Sequence, residues 1–141
     1  MLDAALPDWP AGTGCVRATN GAGGPHAIPV STALRAGDDR IVLALARSRG
    51  SLERLRADPR VALTVMAGPD VAFTAHGAAT VIADPLPGAE AVTGVEIRVD
   101  ALRRHERPTF AIEAGVVWRW TDAEAQVRDG AVREALLASV G

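Results

Sequence analysis

Two arginines and two serines fall within five residues at Arg47-Ser48-Arg49-Gly50-Ser51, a combination suited to gripping an anion. The apolar run Arg40–Ala46 precedes it, and Leu52 and Leu55, spaced three apart, follow it and lead to Asp58-Pro59. That pattern predicts a buried strand, a junction and a short amphipathic helix stopped by proline. The first turn of a helix has unpaired N–H groups and the positive end of the macrodipole, so acidic residues are favoured there and cations are not. Arginines at this place point to a missing negative partner such as a phosphate, with Ser48 and Ser51 adding hydroxyl donors. The plainer alternative is a pair of solvated arginines, partnered by Glu53, with one serine capping the helix. The residues alone leave both open.

Other candidates are sparser. His76 interrupts the small-residue run Thr74-Ala75-His76-Gly77-Ala78; it either faces a ligand or is an ordinary hydrogen-bonded or exposed strand histidine. Trp118 and Trp120 flank Arg119 and in an extended chain project to one side, forming either an apolar wall for a flat ligand or packing for a C-terminal helix. Cys15 has no neighbouring His or acid and reads as a packed thiol. The three histidines have no helical ligand spacing, and one cysteine makes no Cys-x-x-Cys pair, so a dedicated metal site has no sequence support. Neither a Gly-x-Ser-x-Gly nor a Walker-type motif occurs.

These residues need a scaffold, and 141 residues with 48% hydrophobic and 23% charged suit a single globular domain, 1–141. All the positive charge is arginine, the net charge is −2, and nucleic acid is a poor default partner. No apolar run reaches the roughly 20 residues of a membrane span. The N-terminus lacks a signal-peptide pattern, and a lone cysteine forms no internal disulfide, so a cytoplasmic location is expected.

The expected elements begin after an irregular arm, 1–12, whose Trp9 docks on the body. Thr13–Asn20 and His26–Leu34 form a hairpin around Gly21-Ala22-Gly23-Gly24-Pro25, the second strand having bulky residues (His26, Ile28, Val30, Thr32, Leu34) on one face and small ones on the other. Pro29 donates no ladder bond and places this strand at an edge or beside a ligand. Arg40–Ala46, Val61–Met66, Val71–Ile82 and Val92–Val99 read as further strands. Asp100–Pro108 reads as a charged connection, and Phe110–Trp120 as a strand or a loop-strand mixture bent at Gly115. Thr121-Asp122-Ala123-Glu124 has capping-box form and starts a C-terminal helix, 121–141, with Val132, Leu136 and Val140 as its buried stripe.

The order Gly21-Ala22-Gly23-Gly24-Pro25-His26-Ala27-Ile28-Pro29-Val30-Ser31, an apolar strand, an Arg/Ser-rich helix start and Leu55-Arg56-Ala57-Asp58-Pro59-Arg60-Val61 resembles the pyridoxamine 5′-phosphate oxidase-like superfamily over residues 13–100. The resemblance implies a mainly β (α+β) fold, a six-stranded antiparallel Greek-key split β-barrel with a short helix after the third strand and a C-terminal helix. It further implies a homodimeric oxidoreductase with flavin mononucleotide (FMN) between subunits and a small-molecule substrate. The second strand, Ile28, Pro29, Val30 and Ser31, would then lie along the flavin ring. Leu45, Ala46, Arg47, Ser48, Arg49 and Ser51 would hold its phosphate, with His76 and Trp118 as further candidates. No catalytic side chain is assigned. Ser51 stands where relatives commonly carry a lysine, and the C-terminus lacks the Arg and Trp segment of the B6 oxidase itself. A deazaflavin-dependent reductase and a cofactor-free binding or structural dimer are therefore the alternatives.

Overall fold

A computed structural model describes residues 2, 4–47 and 51–140, for Ser51 the backbone alone. Its strands are β1 (Cys15–Gly21), β2 (Gly24–Val30), β3 (Leu34–Arg35), β4 (Arg40–Ala46), β5 (Arg60–Ala67), β6 (Val71–Ala83) and β7 (Val92–Arg104). Helix α1 is Ser51–Ala57 and α2 is Ala123–Ser139. All pairings are antiparallel, in one sheet of order β2-β1-β5-β6-β7-β4-β3.

The expected six-stranded Greek-key split β-barrel is corrected to an open seven-stranded antiparallel sheet. The alternation from His26 to Leu34 predicts one strand, but the chain bends at Ser31 and changes partner: β2 pairs with β1, and β3 with β4. The physical reason is Thr32. Its hydroxyl donates to the Ala44 carbonyl at 3.3 Å and accepts from the Ala44 N–H at 3.1 Å, replacing a strand ladder with a side-chain clamp. The first and last strands of the sheet are thus neighbours in the chain, and the sheet curls around one interior. Inner residues of β1, β4, β5, β6 and β7 meet in a single cluster that includes Leu43, Leu63, Phe73 and Ile97, all at 0–1% exposure. Each such side chain contributes about 1.5–3 kcal/mol by leaving water. Leu52 and Leu55 of α1 join this cluster, and so does Trp9, whose Nε1 donates to the Ala33 carbonyl at 2.9 Å.

Strand β4 is an unbroken apolar run because both its faces are covered. Ile41, Leu43 and Leu45 point inward, while Val42 packs outward with Leu86 and Leu136, the latter from α2. Helix α2 begins one residue later than the capping box predicts. The Asp122 carboxylate, on extended backbone, accepts from the N–H groups of Glu124 (2.9 Å) and Ala125 (3.3 Å), and a charged cap complements the dipole better than the Thr121 hydroxyl. Strand β7 continues to Arg104, through much of the expected connection, because β6 is long enough to pair with it there. The segment 110–120 forms no ladder; Asp70 holds it by a bond to each of the Ile112 backbone groups, and Trp118 Nε1 donates to the Gly12 carbonyl.

Cys15 lies inside, 1% exposed, and burial pushes its thiol up to about 12. We expect a thiol reagent at pH 8 to label the folded protein at least about a hundredfold more slowly than the urea-unfolded chain. Equal labelling rates would show that β1 is not held in the sheet.

Candidate functional site

The end of β4 carries Arg47 of the expected basic cluster into an ion network that the sequence does not announce. Arg47 Nε donates to Asp84 Oδ1 at 2.9 Å; Arg56 donates to Asp84 Oδ2 at 3.2 Å, and Thr93 donates to Oδ1 at 2.8 Å. The Thr93 hydroxyl foremost, then Arg47 and Arg56, hold the Asp84 carboxyl below the usual carboxylate range against the opposing effect of partial burial. Arg47 therefore pairs with Asp84, and not with Glu53. Its side chain remains half exposed, and its two terminal nitrogens have no partner among the described residues. One guanidinium edge is fixed and the other meets no partner among the described residues.

The Thr32–Ala44 clamp ties the chain just past β2 to β4. Ser31 precedes Thr32, and Arg47 lies three residues beyond Ala44, about 10 Å further along at the strand rise of about 3.3 Å per residue. Strand β2 is terminal in the sheet, and one row of its backbone groups has no strand partner. Ile28 and Val30 face the interior, while Ala27 and Pro29 stand on the exposed side, so the expected small-residue face is the accessible one. Beside the clamp lies a largely apolar cleft of about 580 Å³, bordered by Thr32, Ala44, Val92, Trp120, Arg128 and Asp129. That volume suits a flat heteroaromatic ligand.

No family model and no curated protein matches the sequence, and the likeness lies in three-dimensional structure. A Clostridium acetobutylicum protein related to general stress protein 26, of the pyridoxinephosphate oxidase family, superposes with a TM-score of 0.54 at 14% identity, covering 67% of this chain and 80% of that one. General stress protein 26 from Bacillus anthracis gives 0.54 at 14%, covering 64% and 81%. An F420 reductase gives 0.58 at 15%, covering 67% and 91%. The chain has the pyridoxamine 5′-phosphate oxidase-like fold.

On this pyridoxamine 5′-phosphate oxidase-like frame the expected site residues divide into groups. Ile28, Pro29, Val30 and Ser31 lie at and just past the end of β2, and Leu45, Ala46 and Arg47 at and just past the end of β4, with the Thr32–Ala44 clamp between the two chain segments. Ser48, Arg49 and the Ser51 side chain lie outside the described residues. His76 pairs across the sheet with Ala62 and Ala101, on the outer face, and lines a separate shallow hollow with Ala18, Ala62 and Arg60. Trp118 and Trp120 meet edge to face, centroids 5.1 Å apart at 79°, rather than making one flat wall. Trp120 borders the cleft, whereas Trp118 lines a different hollow with Gly12, Met66 and Gly68. Thr32, Asp84 and Thr93 are site residues that the sequence does not single out; Asp84, with its proline, reads only as a loop. No group of three or more potential metal ligands occurs among the described residues, and no described helix is long and apolar enough to cross a membrane.

Proposed function

We propose that the chain is a flavin-binding oxidoreductase that takes FMN and acts as a homodimer on a small-molecule substrate. The observation that supports this reading is the Thr32–Ala44 clamp, which ties the chain just past the terminal strand β2 to the strand that leads into the half-free Arg47. A flavin so placed offers its ring edge to backbone groups and its phosphate to a guanidinium, and these residues fit both demands. When bound, the flavin supplies the hydride chemistry, which needs no side-chain acid or base. The protein's own work is positional. Ile28, Pro29, Val30 and Ser31 present backbone to the ring, Asp84 keeps Arg47 aimed, and Trp120 with α2 closes an apolar wall against water. Ser48, Arg49 and Ser51 complete the proposed phosphate grip, and His76 and Trp118 are further candidates for cofactor contact.

A second reading, a deazaflavin reductase, draws on the superposition with the F420 reductase. Visible absorbance separates the two. Addition of FMN should perturb the two-band flavin spectrum and raise the melting temperature; a response only to a deazaflavin cofactor moves the assignment to the second reading, and no response to either removes both. Arg47→Ala should weaken cofactor affinity about tenfold or more, the equivalent of roughly 1.4 kcal/mol, while Arg103→Ala, remote on β7, should leave it unchanged. Equal affinities for the two variants would remove the phosphate assignment.

A further inference from the structure

Arg17 is the largest fully buried side chain among the described residues. It sits on β1 opposite Ile28 of β2 and Leu63 of β5, facing the interior at 1% exposure, and none of its three guanidinium nitrogens has a hydrogen-bond partner among the described residues. A guanidinium keeps its proton at neutral pH, and leaving it buried without a counter-charge is among the least favourable arrangements a fold contains. The orphaned atoms do not stop there. Thr19, two residues along the same inward face, is 4% exposed with its hydroxyl unpartnered, and His26, directly across the hairpin from Thr19, has a buried Nδ1 without a partner.

A second cation reinforces the demand. Arg54 of α1 lies against the hairpin, its Nε 3.7 Å from where a side chain on Gly21 would begin, and it has no carboxylate partner among the described residues. Burial first, and then the like charge of Arg54, pull Arg17 below its ordinary value. Two carboxylates lie nearby: Asp58, which accepts from Asn20 and pairs with Arg60, and Glu53, exposed at the rim of a hollow of about 530 Å³ that His26 and Arg54 also line. This hollow lies between the β1–β2 turn and α1, and its lining includes His26 and Arg54 but not Arg17 or Thr19. Arg17, Thr19 and His26 are distinct from the Arg47–Asp84 network, on a different pair of strands.

We infer that Arg17, Thr19, His26 and Arg54 form an internal site for a phosphate-class oxyanion, entered between the β1–β2 hairpin and α1. Five guanidinium N–H donors, a hydroxyl and an imidazole nitrogen suit a tetrahedral anion with several acceptor oxygens, and two arginines balance a charge near −2. The anion is either free phosphate or the phosphate end of a larger ligand. The inference stands whether or not a flavin binds.

The test is thermal melting of the full chain, followed by tryptophan fluorescence, in inorganic phosphate and in chloride at matched ionic strength. Phosphate should raise the melting temperature saturably, by about 5 °C or more at a hundredfold excess over Kd. Arg17→Met should melt above the wild type in chloride and show no phosphate response; Arg54→Ala should weaken the response about tenfold, and Arg103→Ala should retain it. Identical wild-type melts in the two salts overturn the site with no variant needed. So does an Arg17→Met protein that still responds, or one less stable than wild type in chloride. If Arg17→Met does not fold in either salt, the decision passes to Arg54→Ala, whose unchanged phosphate response would overturn the inference. Phosphate displaced by FMN but not by riboflavin identifies the anion as a flavin phosphate; a phosphate shift that adds to that of FMN, or persists when no flavin binds, identifies a separate anion site.

Discussion

Gly77→Ala should lower the melting temperature by about 10 °C or more, the equivalent of at least about 3 kcal/mol. Gly77 lies in β6 where the register with β7 shifts between His76 and Gly77. A Cβ there would stand 2.0 Å from the Arg98 carbonyl oxygen, 2.8 Å from its carbon and 3.1 Å from Ile97 Cγ2. The first two are backbone atoms of a paired strand, and no rotamer change relieves them. The sheet must open at the bulge or β6 must shift. Gly23→Ala is the control: a Cβ at Gly23 meets nothing within 4 Å, so urea denaturation should place it within about 0.5 kcal/mol of wild type. Comparable midpoints for the two variants would mean that the β6–β7 contact is looser than described.

Leu136→Ala should cost about 2–5 kcal/mol and detach α2. Leu136 and Asp129 are the buried residues of that helix, and Leu136, at 0% exposure, seats in the small cluster of Val42 and Leu86. Val132, Ala135 and Val140 are only partly buried, while Val127 and Leu137 stay exposed at 72% and 49%. With so narrow an apolar stripe, truncating its central residue leaves few contacts to dock the helix. Because α2 supplies one wall of the cleft beside Trp120, the same variant should also lose flavin affinity more steeply than Leu137→Ala. Loss of the unfolding midpoint without loss of affinity would place the flavin elsewhere.

The legibility of this fold follows the range of the forces involved. Strand β4 appears with the boundaries its apolar run predicts, because burial on both faces writes itself into consecutive residues. The hairpin turn and the Pro29 edge position are equally local. The break at Ser31 is not, since it depends on Thr32 finding Ala44 across twelve residues. Asp84 likewise meets Arg47 from 37 residues away, and nothing around Asp84-Pro85 beyond loop chemistry marks it as a counter-ion. Arg17 is hidden for a different reason. Its neighbours Val16 and Ala18 are the more apolar side of β1, yet Val16 is 44% exposed and Arg17 1%, because pairing with β2 and β5 sets which face turns inward. Register outranks local hydrophobicity there.

The terminal strand β2 carries prolines at positions 25 and 29, four residues apart and therefore on one side of the pleat. Proline in a paired strand is tolerated where its missing N–H would have faced away from the partner, so the outward row of β2 lacks donors at both places. A strand from another molecule would find that row interrupted, and fibril-like growth by edge-to-edge stacking is thereby discouraged.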